Sequence, residues 1–184
     1  MNVYVALLHF PVYNKNKEVV TTCVTGFDLH DIARSCKTYG IKRYFVVNPI
    51  SAQRQFAERV LSCWMADESQ EFNPTRVEAF NLVSIKKDLK EVVEEISKKN
   101  GSPVVVATSA RQKGNYPYGK LSEEIKKSKR PYLILFGTGW GLCEEVTDGA
   151  DIVLSPLVGD GDYNHLSVRS AAAIILDRLF GKEK

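Results

Sequence analysis

Short apolar runs alternate with amphipathic stretches along the 184-residue chain. Val3–His9 reads as a strand, followed by a polar turn at Asn14–Lys17 and a β-branched run, Val19–Thr25. Asp28 is a fitting N-cap for a helix over Leu29–Tyr39, which Gly40 ends. Arg43–Val47 is a strand stopped by Asn48-Pro49, and Ser51–Met65 is a helix. Arg76–Val83 reads as a strand and Ile85–Lys99 as a helix, with Glu94–Lys98 and Glu95–Lys99 at i,i+4 spacing and Asn100-Gly101 as its stop. Pro103–Thr108 is a strand, Leu121–Ser128 a short helix and Tyr132–Phe136 a strand. A glycine-rich loop, a short strand at Ile152–Leu154 and a long apolar helix over His165–Phe180 complete the chain.

Phe45–Val47, Val104–Val106 and Leu133–Phe136 are apolar at consecutive positions, so they are buried on both faces. That pattern belongs to parallel strands covered by helices on each side. The expected fold is a single α/β domain over residues 1–184, with a mostly parallel sheet and helices on both faces. Ligands of such sheets bind at the carboxyl ends of the strands. Attention therefore falls on the segments after Thr108, Phe136 and Leu154.

Four segments can carry chemistry. In Phe136-Gly137-Thr138-Gly139-Trp140-Gly141-Leu142, glycines alternate directly after a buried strand, where backbone can approach a ligand closely. Gly114–Lys120 spells G-x-x-x-x-G-K, but Leu121 stands where a P-loop needs Ser or Thr, and Pro117 removes a backbone donor. It reads as a flexible loop with aromatic anchors. Ser155–His165 leads into the last helix, whose first N–H groups are donors for a polar ligand. Its carboxylates Asp160 and Asp162, with Asp151, read as loop solvation rather than as a metal site. Arg34 lies mid-helix and reads, by itself, as a surface residue. His9, in an apolar strand, reads as structural.

Composition narrows the class. Hydrophobic residues make up 44 % and charged residues 26 %, which excludes disordered and fibrous chains. The net charge of +3 permits a nucleic-acid partner without demanding one. No apolar run is long enough for a membrane span, and Met1–Pro11 lacks the marks of a signal peptide. Cys23, Cys36, Cys63 and Cys143 lie far apart, which fits reduced thiols in the cytoplasm and argues against zinc. The basic run Lys126–Arg130 and the pair Lys98-Lys99 fall at helix C-termini, where they complement the dipole.

Taken together, these loops resemble the SPOUT family of α/β-knot RNA methyltransferases. Phe136–Leu142 is similar to the family's F-G-x-x-G-x-G-L loop and one residue shorter than in the 2′-O-methylating branch. Leu154-Ser155-Pro156-Leu157, then Asn164-His165-Leu166-Ser167 and Ala171-Ala172-Ala173, follow its strand–proline–small-residue-helix motif. Asn164-His165 also matches part of the guanine-N1 branch. Asp28, Arg34 and Tyr39-Gly40 keep the spacing of its first motif, with Asp28 in place of the 2′-O branch's Asn. The resemblance implies a deep C-terminal trefoil knot, S-adenosylmethionine as cofactor, an RNA substrate (tRNA or rRNA) and a homodimer. It implies cofactor contacts from Thr108, Ser109, Gly137, Thr138, Gly139, Trp140, Gly141, Leu154, Ser155, Leu157, Asn164, His165, Leu166 and Ser167.

Methyl transfer from a sulfonium is an in-line displacement that needs alignment and a route for the acceptor's proton. The resemblance implies Arg34 as the leading catalytic candidate, stabilising a developing oxyanion or gripping a phosphate. Asp162, or Asp160 beside it, is the candidate proton acceptor. Lys42, Arg43, Arg54, Arg111 and Lys113 are candidate RNA contacts. Two rivals stand beside this reading: a non-catalytic RNA-binding knot protein, and a dinucleotide-dependent oxidoreductase built on Gly137–Gly141.

Overall fold

The computed structural model describes residues 1–66, 71–110 and 114–182. Eight strands appear in chain order: β1 (Val3–Leu8), β2 (Val12–Tyr13), β3 (Val19–Val20), β4 (Arg43–Val47), β5 (Val83–Lys86), β6 (Val104–Ala107), β7 (Tyr132–Gly137) and β8 (Ile152–Val153). Six of them form one sheet in the order β5-β4-β1-β7-β6-β8, and every pairing is parallel. The helices are α1 (Gly26–Thr38), α2 (Ser51–Met65), α3 (Pro74–Phe80), α4 (Leu89–Asn100), α5 (Tyr118–Lys127), α6 (Glu144–Asp148) and α7 (Val168–Phe180).

The consecutive apolar residues of β1, β4 and β7 are buried because helices cover both faces of the sheet. The covers are unequal. One face carries α1 through Leu29, Ile32, Ala33 and Cys36, together with α3, α5 and α7. The opposite face is closed by α4 through Val92 and Ile96, with Val146 of α6 packed beside it. Central β1 sits between β4 and β7, so the chain leaves it first toward one edge and later toward the other. The carboxyl ends of β1 and β7 lie at that switch point, where such sheets open a crevice.

Several expectations change. Residues 74–80 form helix α3 rather than part of a strand over Arg76–Val83, and the strand begins at Val83. Asn73 accepts from the Arg76 N–H and Pro74 occupies the first turn, which are strong helix-start signals. Ile85 and Lys86 belong to β5, so α4 starts only after its cap Asp88. Glu95 pairs with Lys86 across that junction at 2.6 Å and Glu94 with Lys90 at 3.9 Å. The cap of α1 is Thr25, whose hydroxyl accepts from the Asp28 N–H, so Asp28 lies in the first turn instead. The last helix starts at Val168, capped by Ser167, leaving His165 and Leu166 in the loop before it.

Candidate active site

A cavity of about 960 Å³ opens at the carboxyl ends of β6 and β7. Its walls come from four stretches: residues 22–28, 108–110, 136–142 and 157–168, with Ala171 and Ile175 of α7 behind them. The glycine loop is built by its neighbours. The short β2–β3 hairpin clamps it, with the Trp140 N–H donating to the Tyr13 carbonyl at 2.8 Å and the Tyr13 N–H to the Gly141 carbonyl at 2.9 Å. Gly137 has no room for a side chain, since a Cβ there would fall 2.6 Å from the Leu142 nitrogen. Gly139, at φ +58°, faces the Tyr13 carbonyl at 2.9 Å in the same way. Gly141, at φ +95°, meets nothing within 4 Å. Two of these three glycines therefore serve packing, and the third leaves open space.

Of the cofactor residues expected from sequence, all but Leu154 and Ser155 line the cavity. Leu154 is fully buried and its N–H donates to the Ala107 carbonyl at 3.0 Å. The Ser155 carbonyl accepts from the Tyr118 hydroxyl at 2.7 Å. These two residues hold the floor of the site against α5 rather than facing its interior. Gly114 packs directly on this stretch, its hydrogen turned toward the Leu154 carbonyl where a Cβ would lie 1.9 Å away. The segment from Gly114 to Tyr118 is thus pinned, and Lys120 rests 4.5 Å over the Tyr116 ring instead of facing a phosphate cradle.

Thr22, Cys23, Thr25 and Asp28 also line the cavity, and sequence reading did not place them there. The Thr25-x-x-Asp28 spacing, a helix-start pattern, was the available signal. Thr22 belongs to a buried chain of polar groups. The Thr138 hydroxyl donates to the Leu8 carbonyl at 3.2 Å and meets Thr22 Oγ1 at 2.5 Å, and Thr22 Oγ1 meets His9 Nδ1 at 2.9 Å. With Thr138 donating outward, Thr22 donates to it and His9 donates to Thr22, which assigns the proton to Nδ1. His9 Nε2 then remains as a bare acceptor with no partner. Burial pulls the His9 pKa down to about 4, so the ring is neutral near pH 7.

Charge at the site is carried by Asp28 and Asp162. Arg169, unremarked in the sequence, lies 3.9 Å from both Asp28 and Asp31 and covers the Phe27 ring. Arg34 is exposed on α1 and does not line the cavity of its own chain. It lies six helical steps beyond Asp28, which is about 9 Å of rise and about 120° of rotation away. Asp160 is exposed in the loop, and Asp151, which does not line the cavity, accepts from the Val105 N–H at 2.8 Å. No three metal-binding side chains gather among the described residues. Arg54 donates to the Asn48 and Pro49 carbonyls at 2.9 and 2.7 Å, and Lys42 to Asn2 at 3.0 Å. Arg111 and Lys113 lie outside the described residues.

The site fits S-adenosylmethionine. Its volume is in the range for a nucleoside-sized ligand. Phe136, Leu157 and Ile175 give an apolar surface suited to a planar base, Gly141 leaves backbone open, and the carboxylates Asp28 and Asp162 on the wall suit a cationic ligand.

A family profile described as SAM-dependent RNA methyltransferase matches residues 2–181. An uncharacterized protein of Aquifex aeolicus (strain VF5) is 45 % identical over 185 residues, covering 100 % of this chain and 90 % of that protein. A tRNA (guanine-N(1)-)-methyltransferase of Nitratidesulfovibrio vulgaris is 41 % identical over 181 residues, 98 % of this chain but only 42 % of the relative. The chain thus spans about two fifths of that enzyme's length. The fold is similar to that of the TrmH/SpoU tRNA modifying enzyme of A. aeolicus, with a TM-score of 0.60 at 16 % identity, covering 97 % of this chain and 73 % of that one. No helix among the described residues is long and apolar enough to cross a membrane. With a matching family profile over nearly its whole length and a site suited to the cofactor, the chain belongs to the SAM-dependent RNA methyltransferase family.

Proposed function

We propose that the cavity holds S-adenosylmethionine within the loops 108–110, 136–142 and 157–168, and that a nucleotide of tRNA or rRNA enters at its mouth. The observation that carries this reading is the convergence of those sequence-distant loops on one cavity at the strand ends. When bound, the cofactor supplies an activated methyl group. The protein's part is to orient the acceptor, exclude water and take up a proton. Asp162, on the cavity wall, takes that proton. Asp28, which accepts from the Thr25 hydroxyl at 2.8 Å and lies 3.9 Å from Arg169, would offer the cationic cofactor a carboxylate on the cavity wall.

Arg34 acts in the second copy of a homodimer. It is exposed and outside its own chain's cavity, and the same helix presents Phe27, 70 % exposed, close to α7 with its exposed Ile174. An interface there covers both apolar residues and carries Arg34 toward the partner's site. The C-terminal loops form the trefoil knot that the family resemblance implies. In its favour, Asn164 donates to the Ala110 carbonyl at 3.0 Å and Leu154 bridges to Tyr116, which brings these loops into contact. An RNA substrate places the protein in the cytoplasm. The guanine-N1 activity of the N. vulgaris relative is not carried over, because more than half of that enzyme lies outside the shared segment.

The test is a steric block. Ala171 lines the cavity from α7, so Ala171→Phe fills it while keeping a helix-compatible residue. Calorimetry is expected to show S-adenosylmethionine affinity reduced at least about tenfold, which is about 1.4 kcal/mol. Unchanged affinity in the folded variant would mean that the cofactor binds elsewhere.

A further inference from the structure

We infer that Trp140, His165 and Tyr163 form a stacking platform for an unpaired nucleobase of the RNA substrate at the mouth of the cavity. The inference rests on the cavity being the methyl-donor site. Trp140 and His165 line the cavity, and Tyr163 lies just beyond them. The His165 ring touches both neighbours, with centroids 5.9 Å from Trp140 and 5.6 Å from Tyr163. Both contacts are edge-to-face, at 62° and 76°, so the rings are not stacked flat on one another. Tyr163 is 79 % exposed and Trp140 54 % exposed. Large aromatic surface left open beside a cavity marks a binding surface rather than a packing accident.

The backbone beneath Trp140 is set firmly. Its N–H is bonded to Tyr13, and the flanking glycines hold left-handed conformations. The indole is therefore presented outward from a rigid turn.

The chemistry of the reaction supplies the occupant. The acceptor atom must come within about 3–3.5 Å of the methyl group, inside the cavity. A nucleotide still stacked in a helix cannot reach that depth, so it must leave its neighbours and lose their stacking. The residues at the mouth are the ones placed to restore it, and every base offers the flat face that such residues accept. A second copy of the chain is the competing occupant, and the test separates the two.

The experiment uses the intact chain with S-adenosylhomocysteine present, its binding measured by calorimetry on the same sample. Tryptophan emission is followed during titration with a short unpaired oligoribonucleotide of mixed sequence, and with its abasic counterpart carrying the same phosphates. The difference between the native protein and Trp140→Phe isolates Trp140 from Trp64. Saturable quenching by the base-bearing strand alone is expected. Tyr163→Ala is expected to weaken that titration about tenfold, with Tyr163→Phe restoring it. Tyr163 is largely exposed, so its truncation leaves the fold intact. Equal quenching by both strands, or none by either, would overturn the platform, as would emission that depends on protein concentration alone, which is the signature of self-association. If S-adenosylhomocysteine does not bind, the cavity reading itself fails; if it binds and the strand does not quench, only the platform fails.

Discussion

His9 directly follows the aliphatic strand β1 and has no exposed surface, yet its side-chain hydrogen bond leads through Thr22 and Thr138 into the cavity wall. The sequence marked it as structural, and it is, but what it supports is the site. Its neutral state has a consequence for stability. The folded pKa is about 4 against an ordinary value of 6.5, so between those values the unfolded chain binds more protons than the folded one. Stability contributed by the neutral ring is complete above pH 6.5 and is lost as the pH falls toward 4, by about 3 kcal/mol. Urea unfolding from pH 7 to pH 4.5 is expected to show a shallower loss for His9→Asn than for the native protein. Coincident slopes would show that the ring is not held neutral. Thr22 itself was hidden in the sequence because a threonine in a β-branched run reads as strand. Only its position across from Thr138, 116 residues away, gives it a role.

Among the elements, the segment 114–118 shows how a loop can be misread as loose. Its composition of Gly, Asn, Pro and Tyr is that of a turn. In the structure Gly114 lies against the Leu154 backbone, Tyr116 bridges to Leu154 and Tyr118 bonds to Ser155. A methyl group at residue 114 must push these two chains apart. Gly114→Ala is expected to cost about 2 kcal/mol of stability, measured by urea unfolding, and to weaken S-adenosylmethionine binding as the 154–157 floor shifts. A variant as stable as the native protein would show that the segment yields freely. The helix α3 was misread for the opposite reason. Its Val77, Ala79 and Phe80 are buried at spacings that also suit a short strand, and the Asn73-Pro74 start signal decides the matter. The strands β1, β4 and β7 were legible because consecutive apolar residues leave few alternatives in a chain of this class.

For the whole molecule, the question is how an exposed Arg34 can serve a site it does not face. If Arg34 acts in a partner's cavity, as proposed above, its function is a property of the assembly. A mixing experiment reads it directly. Arg34→Ala leaves the cavity intact, and Ala171→Phe leaves the arginine intact. Each alone is expected to be nearly inactive in methyl transfer to RNA. Co-refolded in equal amounts, they are expected to recover about a quarter of native activity, because half of the dimers are mixed and each mixed dimer has one complete site. No recovery from the mixture, with dimers present by light scattering, would place Arg34 in its own chain's site or outside catalysis.

What the sequence determined by itself was the layered α/β architecture and the loops that line the cavity, since both follow from local patterns: runs of buried residues, caps, glycines after strands. Gly137–Gly141 and Asn164–Ser167 could be singled out because their residue types are unusual for plain turns. What the tertiary structure decided was which of those groups meet. Leu154 and Ser155 turned inward to the packing, Asp28 came into the cavity while Arg34 turned away, and Thr22 and Arg169 gained partners distant in the chain. The physical reason is that hydrophobic burial is read along a chain at periods of two or 3.6 residues. The meeting of side chains depends instead on the order and register of strands, which no local period encodes.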